Sequence, residues 1–279
     1  MQFKSFFRPL TAGALLGMML AFPSDSMNAA RDALYLFAHS VLPALFPFTA
    51  CMLLCTAGRS FSLAPLLVFA CLGGSPAGAR LFADAALSPA KARRIARATG
   101  LMSPLFFTGT LASWLQSPKT ALLLLFCHAG SGLLLLLPVS RDHPEKIHLP
   151  PLSVGGALQQ SALAMLSVAG CVTLGTVGAA LLSCAFPFLP PLPLALLQSF
   201  AEVTSGSKSL IRLAPPCLLP LLCFFTSMNG LSILLQNAAY WGKHGISLSK
   251  LLFFGIFRGA VAFLLCFLIL LCLPAHFAL

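Results

Sequence analysis

The sequence predicts an all-α polytopic membrane protein made of two inverted repeats that contain re-entrant or broken helices. Three observations lead there: a composition too poor in charge for water, several apolar runs of bilayer length, and polar breaks recurring in the same order in both halves of the chain. Of 279 residues, 58% are hydrophobic and 8% charged, and the mean hydropathy is +0.94. Soluble domains carry roughly a quarter charged residues. So little charge cannot cover a surface with solvated groups, and the solvent of this chain is lipid. The net charge of +11 fits the bias of Lys and Arg toward cytoplasmic loops. No basic groove with interleaved aromatics points to nucleic acid.

Apolar runs near the twenty residues a span needs occupy residues 6–22, 29–55, 120–138, 154–186 and 251–273. The first follows Lys4 and Arg8 like a signal peptide. Phe22-Pro23-Ser24-Asp25 is a poor cleavage site, so residues 1–28 read as a retained first span or signal anchor. Residues 29–139 form the first repeat, 140–152 a polar cytoplasmic linker, and 153–279 the second repeat. The linker carries Arg141, Asp142, His143, Glu145, Lys146 and His148, and its two histidines are weak as metal ligands.

Between the spans lie interrupted pieces at 63–79, 101–115, 189–206 and 213–236. Each holds Gly, Pro, Ser or Asn where an uninterrupted span has Leu. Breaks at membrane depth are tolerated only where protein buries them or a cavity adjoins them. Their order repeats. Gly73 to Arg80, Ser103 to Thr110 and a closing span in the first half match Glu202 to Lys208, Ser227 to Ile233 and a closing span in the second. Paired breaks of this kind mark a substrate site in transporters. With the N-terminus and residues 91–97 both cytoplasmic, 63–79 re-enters and leaves on one side, and the second half does so from the other.

Ser88 followed by Pro89 is a helix start. Lys91, Arg93, Arg94 and Arg97 then form either an interfacial helix that orients the protein or a site for an anion.

Among six acidic residues, Glu202 lies at membrane depth. A charge there is costly. Glu202 either serves a substrate or a coupling proton or sodium ion, or it pairs with Lys208 or Arg212. Gly74, Ser75, Gly78, Ser103, Thr108 and Thr110 in the first half, with Thr204, Ser205, Gly206, Asn229, Gly230, Ser232 and Gln236 in the second, complete the candidate substrate site. Small polar residues also serve helix packing. Arg258 either faces the cavity, pairing with Glu202 or an anion, or snorkels to the interface. His128 reads as a packed hydrogen-bonder. The ten cysteines include no CxxC pair and read as small hydrophobes, so no metal is expected. No Walker loop, GxSxG or HExxH is present, and neither an enzyme nor a cofactor is expected.

The segments Leu42-Pro43-Ala44-Leu45-Phe46-Pro47-Phe48, Gly74-Ser75-Pro76-Ala77-Gly78-Ala79, Ser103-Pro104-Leu105-Phe106, Glu202-Val203-Thr204-Ser205-Gly206 and Asn229-Gly230-Leu231-Ser232 together resemble the YlbJ-type sporulation integral membrane proteins. These belong to the group with a nucleoside-transporter or FeoB Gate domain. The resemblance spans roughly residues 30–275. It implies a transporter-like fold in a bacterial cell or forespore membrane, and movement of dipicolinic acid during spore formation. The chain has Ser103 where the family often shows Asn, and Asn229-Gly230 where it often shows Gly-Gly. The expected function is a carrier of a small organic anion. A non-transporting scaffold or assembly factor, and a nucleoside permease, are the alternatives.

Overall fold

The computed structural model describes residues 3–136 and 146–272. Among them, five helical stretches are long and apolar enough to cross a membrane: Pro23–Thr56, Pro118–Leu135, Val154–Ala185, Leu218–His244 and Leu248–Cys272. They mark a multi-pass membrane protein. Large apolar side chains such as Leu133, Leu166, Phe253 and Leu268 stay exposed on these stretches, as lipid contact requires.

The first helix is α1 (Phe3–Ala21). Helix α2 (Pro23–Leu36) starts at once with Pro23 in its first turn, so the expected boundary after residue 28 falls inside a helix. A π-helical turn, Phe37–Val41, joins α2 to α3 (Leu42–Thr56) without a break. Pro43 accounts for that turn. Its ring would strike the carbonyl of His39 in a regular helix, and a widened turn relieves the clash. The Leu42 N–H accordingly donates to Phe37 O, five residues back.

Four units come twice in the same order, the α2–α3 stretch being the first of the first set. In the first half, α4 (Leu63–Gly73) and α5 (Ala77–Phe82) form a hairpin. Helix α6 (Pro89–Thr99) stops, the chain unwinds over 100–103, and a π-helical turn (Phe106–Leu111) leads into α7 (Ala112–Leu115). Helix α8 (Pro118–Leu136) closes the half. In the second half α9 (Val154–Ala185) stands where α2 and α3 stand in the first. A hairpin of α10 (Pro191–Ala201) and α11 (Val203–Leu213) comes next. Then α12 (Leu218–Met228) breaks at Asn229 into α13 (Gly230–Trp241), and α14 (Leu248–Cys272) closes. The expected interrupted piece at 213–236 is therefore part of a spanning stretch.

Of the expected linker, residues 140–145 lie outside the described residues. Two short strands, β1 (Ser60–Phe61) and β2 (Ile147–His148), pair antiparallel, Ser60 opposite His148. The Ser88 cap is as expected: its Oγ accepts from Lys91 N at 3.3 Å. The basic helix it starts buries Ala92, Ile95 and Ala96.

The halves interlock. One core joins Phe107, Leu111 and Leu124 of the first half to Leu210, Leu222 and Ala262 of the second. Another joins Leu66, Phe82 and Ile95 to Leu234, Trp241 and Leu251. Among the described residues neither half has a core cluster of its own. Lipid gives helices no hydrophobic reason to associate, so close packing must hold them. On α14, Gly255 and Gly259 lie one turn apart, and an added Cβ would meet Met228 O at 2.6 Å and Phe224 O at 2.8 Å. That glycine face brings α14 hard against α12.

Candidate functional site

The breaks meet one another. Gly74 has φ +67° and turns the chain between α4 and α5. Ser75 N then donates to Leu101 O at 2.7 Å, tying the first hairpin to the unwound stretch after α6. Ser103 Oγ donates to Leu72 O at 3.4 Å. In the second half Asn229 takes the left-handed conformation, φ 79°, which Asn accepts more readily than most residues. Its Nδ2 donates to Gly100 O, and Asn237 Nδ2 donates to Ser75 Oγ at 3.0 Å.

Two breaks leave helix C-termini in the interior, at Thr99 and Met228, with orphan carbonyls. Arg258 serves both. Its Nε donates to Ser227 O at 2.7 Å and its Nη1 to Arg97 O at 3.1 Å. A guanidinium between two helix C-termini also answers both dipoles. The residue is only 2% exposed, so it does not snorkel, and its bonds run to backbone rather than to Glu202. His128 completes this junction. Its Nε2 accepts from Met102 N at 2.9 Å. That leaves Nδ1 protonated, donating to Ser227 Oγ at 2.8 Å, and the imidazole neutral.

Glu202 sits between α10 and α11 and is 1% exposed. One carboxylate oxygen accepts from Thr204 N at 3.0 Å, the other from Ser205 N at 2.7 Å and Ser205 Oγ at 3.0 Å. Glu202 is thus the N-cap of α11. Among the described residues no Lys or Arg forms an ion pair with it. Lys208 instead lies over the Trp114 ring, 4.9 Å from its centre.

A cavity of about 760 Å³, including its open mouth, lies where these elements converge. Ser75, Ser103, Thr110, Glu202, Thr204 and Gln236 line it, so six of the expected residues come together. Ser40 lines it as well, presented by the π-helical turn before α3, and Thr110 by the one before α7. Leu45, Phe106, Val168 and Ile233 supply apolar wall. None of the lining residues is Lys, Arg or His. Gln236 is 2% exposed, and its Nε2 has no partner.

The other expected residues shape the site from behind. Gly74 abuts the Ser103 backbone, Gly78 lets α5 touch Ala70, and Gly206 lets α11 touch Ser199. Gly230 faces Val203 N. Ser205 is spent on Glu202, Asn229 on Gly100, and Arg258 on two carbonyls. Thr108 is exposed and bonds Pro104 O. Ser232 is buried with no partner for its Oγ, behind Glu202 and against Gly175 of α9. The sequence reading missed Ser40 and Asn237. The prolines of the Leu42 to Phe48 segment were the available signal for the first. Nothing local marks the second.

Comparison of the chain with protein-family models, curated proteins and solved structures finds no match. Chemically, the cavity offers hydroxyls, an amide and one carboxylate within apolar walls, which is the make-up of a solute-binding site.

Proposed function

We propose that this chain is a secondary carrier that moves a small organic solute across a bacterial cell or forespore membrane, coupled to a proton or sodium ion at Glu202. The observation that carries this reading is the buried carboxylate, without an ion-pair partner among the described residues, in a cavity where breaks from both halves converge. Such a group is costly at membrane depth, and function is its default explanation.

The coupling follows from charge. An anion about 4 Å from the carboxylate costs on the order of 4 kcal/mol at an effective dielectric of 20, and no lining cation offsets it. An anionic solute therefore enters only with a cation. Dipicolinic acid, the solute implied by the resemblance, is such a case. A nucleoside is the second reading, favoured by the neutral hydrogen-bonding lining, and needs no counter-charge. The twofold order of hairpin, broken span and closing span supports reading the halves as inverted repeats with re-entrant hairpins.

The test is uptake of labelled dipicolinate and uridine into liposomes holding the purified protein, with and without proton or sodium gradients. Gradient-driven uptake that Glu202→Gln abolishes, with insertion unchanged, is expected. No uptake of either solute by well-inserted protein would favour the scaffold reading.

A further inference from the structure

Cys127 of α8, Cys223 of α12 and Cys266 of α14 converge in the protein interior. All three are fully buried, and their Sγ atoms lie within 4.8 Å of one another. They come from the closing spans of both halves and the broken span between, at positions far apart in sequence. We propose that they form a three-coordinate thiolate site for one soft, thiophilic ion.

Geometry supports this first. A metal–sulfur bond of about 2.3 Å places three sulfurs around a trigonal ion about 4.0 Å apart. The thiols therefore need to close by less than about 1 Å around a planar ion, and further around arsenic(III), whose lone pair makes its three bonds pyramidal. Ligand type comes second, since thiolates select soft ions over hard ones. The coordination number comes third. His128 is the nearest neighbour in sequence to Cys127, and both its nitrogens are committed, to Met102 N and Ser227 Oγ. The surrounding core is apolar, with Leu124, Leu222 and Ala262 fully buried. Among the described residues no fourth ligand stands ready, which disfavours zinc with its tetrahedral preference.

Charge then separates the soft ions. Arsenite, As(OH)₃, condenses with three thiols: three As–O and three S–H bonds break, three As–S bonds and three waters form, and no oxidation state changes. The product is neutral and suits an apolar interior. Cu(I) held by three thiolates releases three protons and leaves two net negative charges, so it binds with fewer thiols deprotonated. An ion here would bolt α8, α12 and α14 together. Since α12 carries the break at Asn229, that would also hold the cavity in one arrangement. The site itself does not depend on the carrier reading.

The experiment uses reduced full-length protein in detergent, loaded separately with arsenite and with Cu(I), desalted, and measured by elemental analysis and X-ray absorption. The background chain carries Cys51→Ala and Cys55→Ala, which removes an exposed pair one turn apart on α3. Retention of a single equivalent with three sulfur neighbours is expected, lost in Cys127→Ala, Cys223→Ala or Cys266→Ala and kept in Cys184→Ala. Retention of arsenite alone identifies the metalloid, and of Cu(I) alone, copper. Two sulfur neighbours, retention unchanged in the cluster variants, or no retention of either ion would overturn the proposal. The sulfur count is read on a chain with the cluster intact, so a variant that fails to fold does not blunt the test.

Discussion

The two hairpins do the same job with different chemistry. Each places a chain break beside the cavity and needs a glycine where its legs cross: Gly78 against Ala70 in the first, Gly206 against Ser199 in the second. Their tips differ. The first is made by backbone, with Gly74 at positive φ and packed on the Ser103 main chain. The second is made by a side chain, the Glu202 carboxylate capping α11. Their anchors differ too. The first hairpin ends at Asp84, which accepts from Arg80 at 2.7 Å and from Lys243 at 2.6 Å. His244 donates to Phe82 O at 2.9 Å nearby. The second is held by Lys208 over Trp114. In each case a hairpin of one half fastens to the far end of the other half's broken span, beside one of the two tryptophans in the chain. The first tip is backbone packed on backbone, whereas the second carries an ionisable group, the one on which the proposed coupling rests.

The largest effect expected from breaking this comparison is at Gly74. In Gly74→Ala a Cβ would overlap Ser103 N, against backbone that cannot yield. The cost should exceed about 3 kcal/mol, read as loss of folded protein in detergent. Glu202→Ala, by contrast, removes a cap worth about 1 kcal/mol, so the protein should fold and fail only in uptake. Equal losses of fold in both variants would end the distinction between the tips.

Arg258→Ala comes next. It leaves the Arg97 and Ser227 carbonyls buried and unpaired, and should cost on the order of 3 kcal/mol in thermal unfolding. Arg258→Lys keeps the charge but not the fork that reaches two carbonyls, and should recover part of the loss. A stability unchanged in Arg258→Ala would remove it from the junction.

The smallest effects lie at the anchors and caps. Burial raises the Asp84 carboxyl, but its bonds to Lys243 and Arg80 outweigh that and hold it below the usual range. A depressed carboxylate stabilises above its unfolded value, about 3.9, and loses this as pH falls through the folded one. Asp84 is exposed, so Asp84→Asn should cost within about 1 kcal/mol and should flatten the acid limb of the stability profile. Ser88→Ala should cost roughly 0.5 kcal/mol, because its cap bond is long at 3.3 Å.

The sequence by itself determined the solvent, four of the five long spans and the places where helices stop, but read the stretch Leu218–His244 as an interrupted piece. Charge scarcity, apolar run length, and Gly, Pro or Asn at 74–76, 100–104 and 229–230 are local properties, and local physics decides them. It also singled out Glu202, which the structure buries. Only the tertiary structure decided partners. Arg258 lies on α14 with nothing nearby in sequence to name Arg97 O and Ser227 O as its acceptors. Periodicity puts a residue on a helix face, and the packing of other helices decides what that face meets. For the same reason Ser75 and Gln236 reached the cavity while Thr108 faced outward, and three cysteines that read as separate small hydrophobes became neighbours.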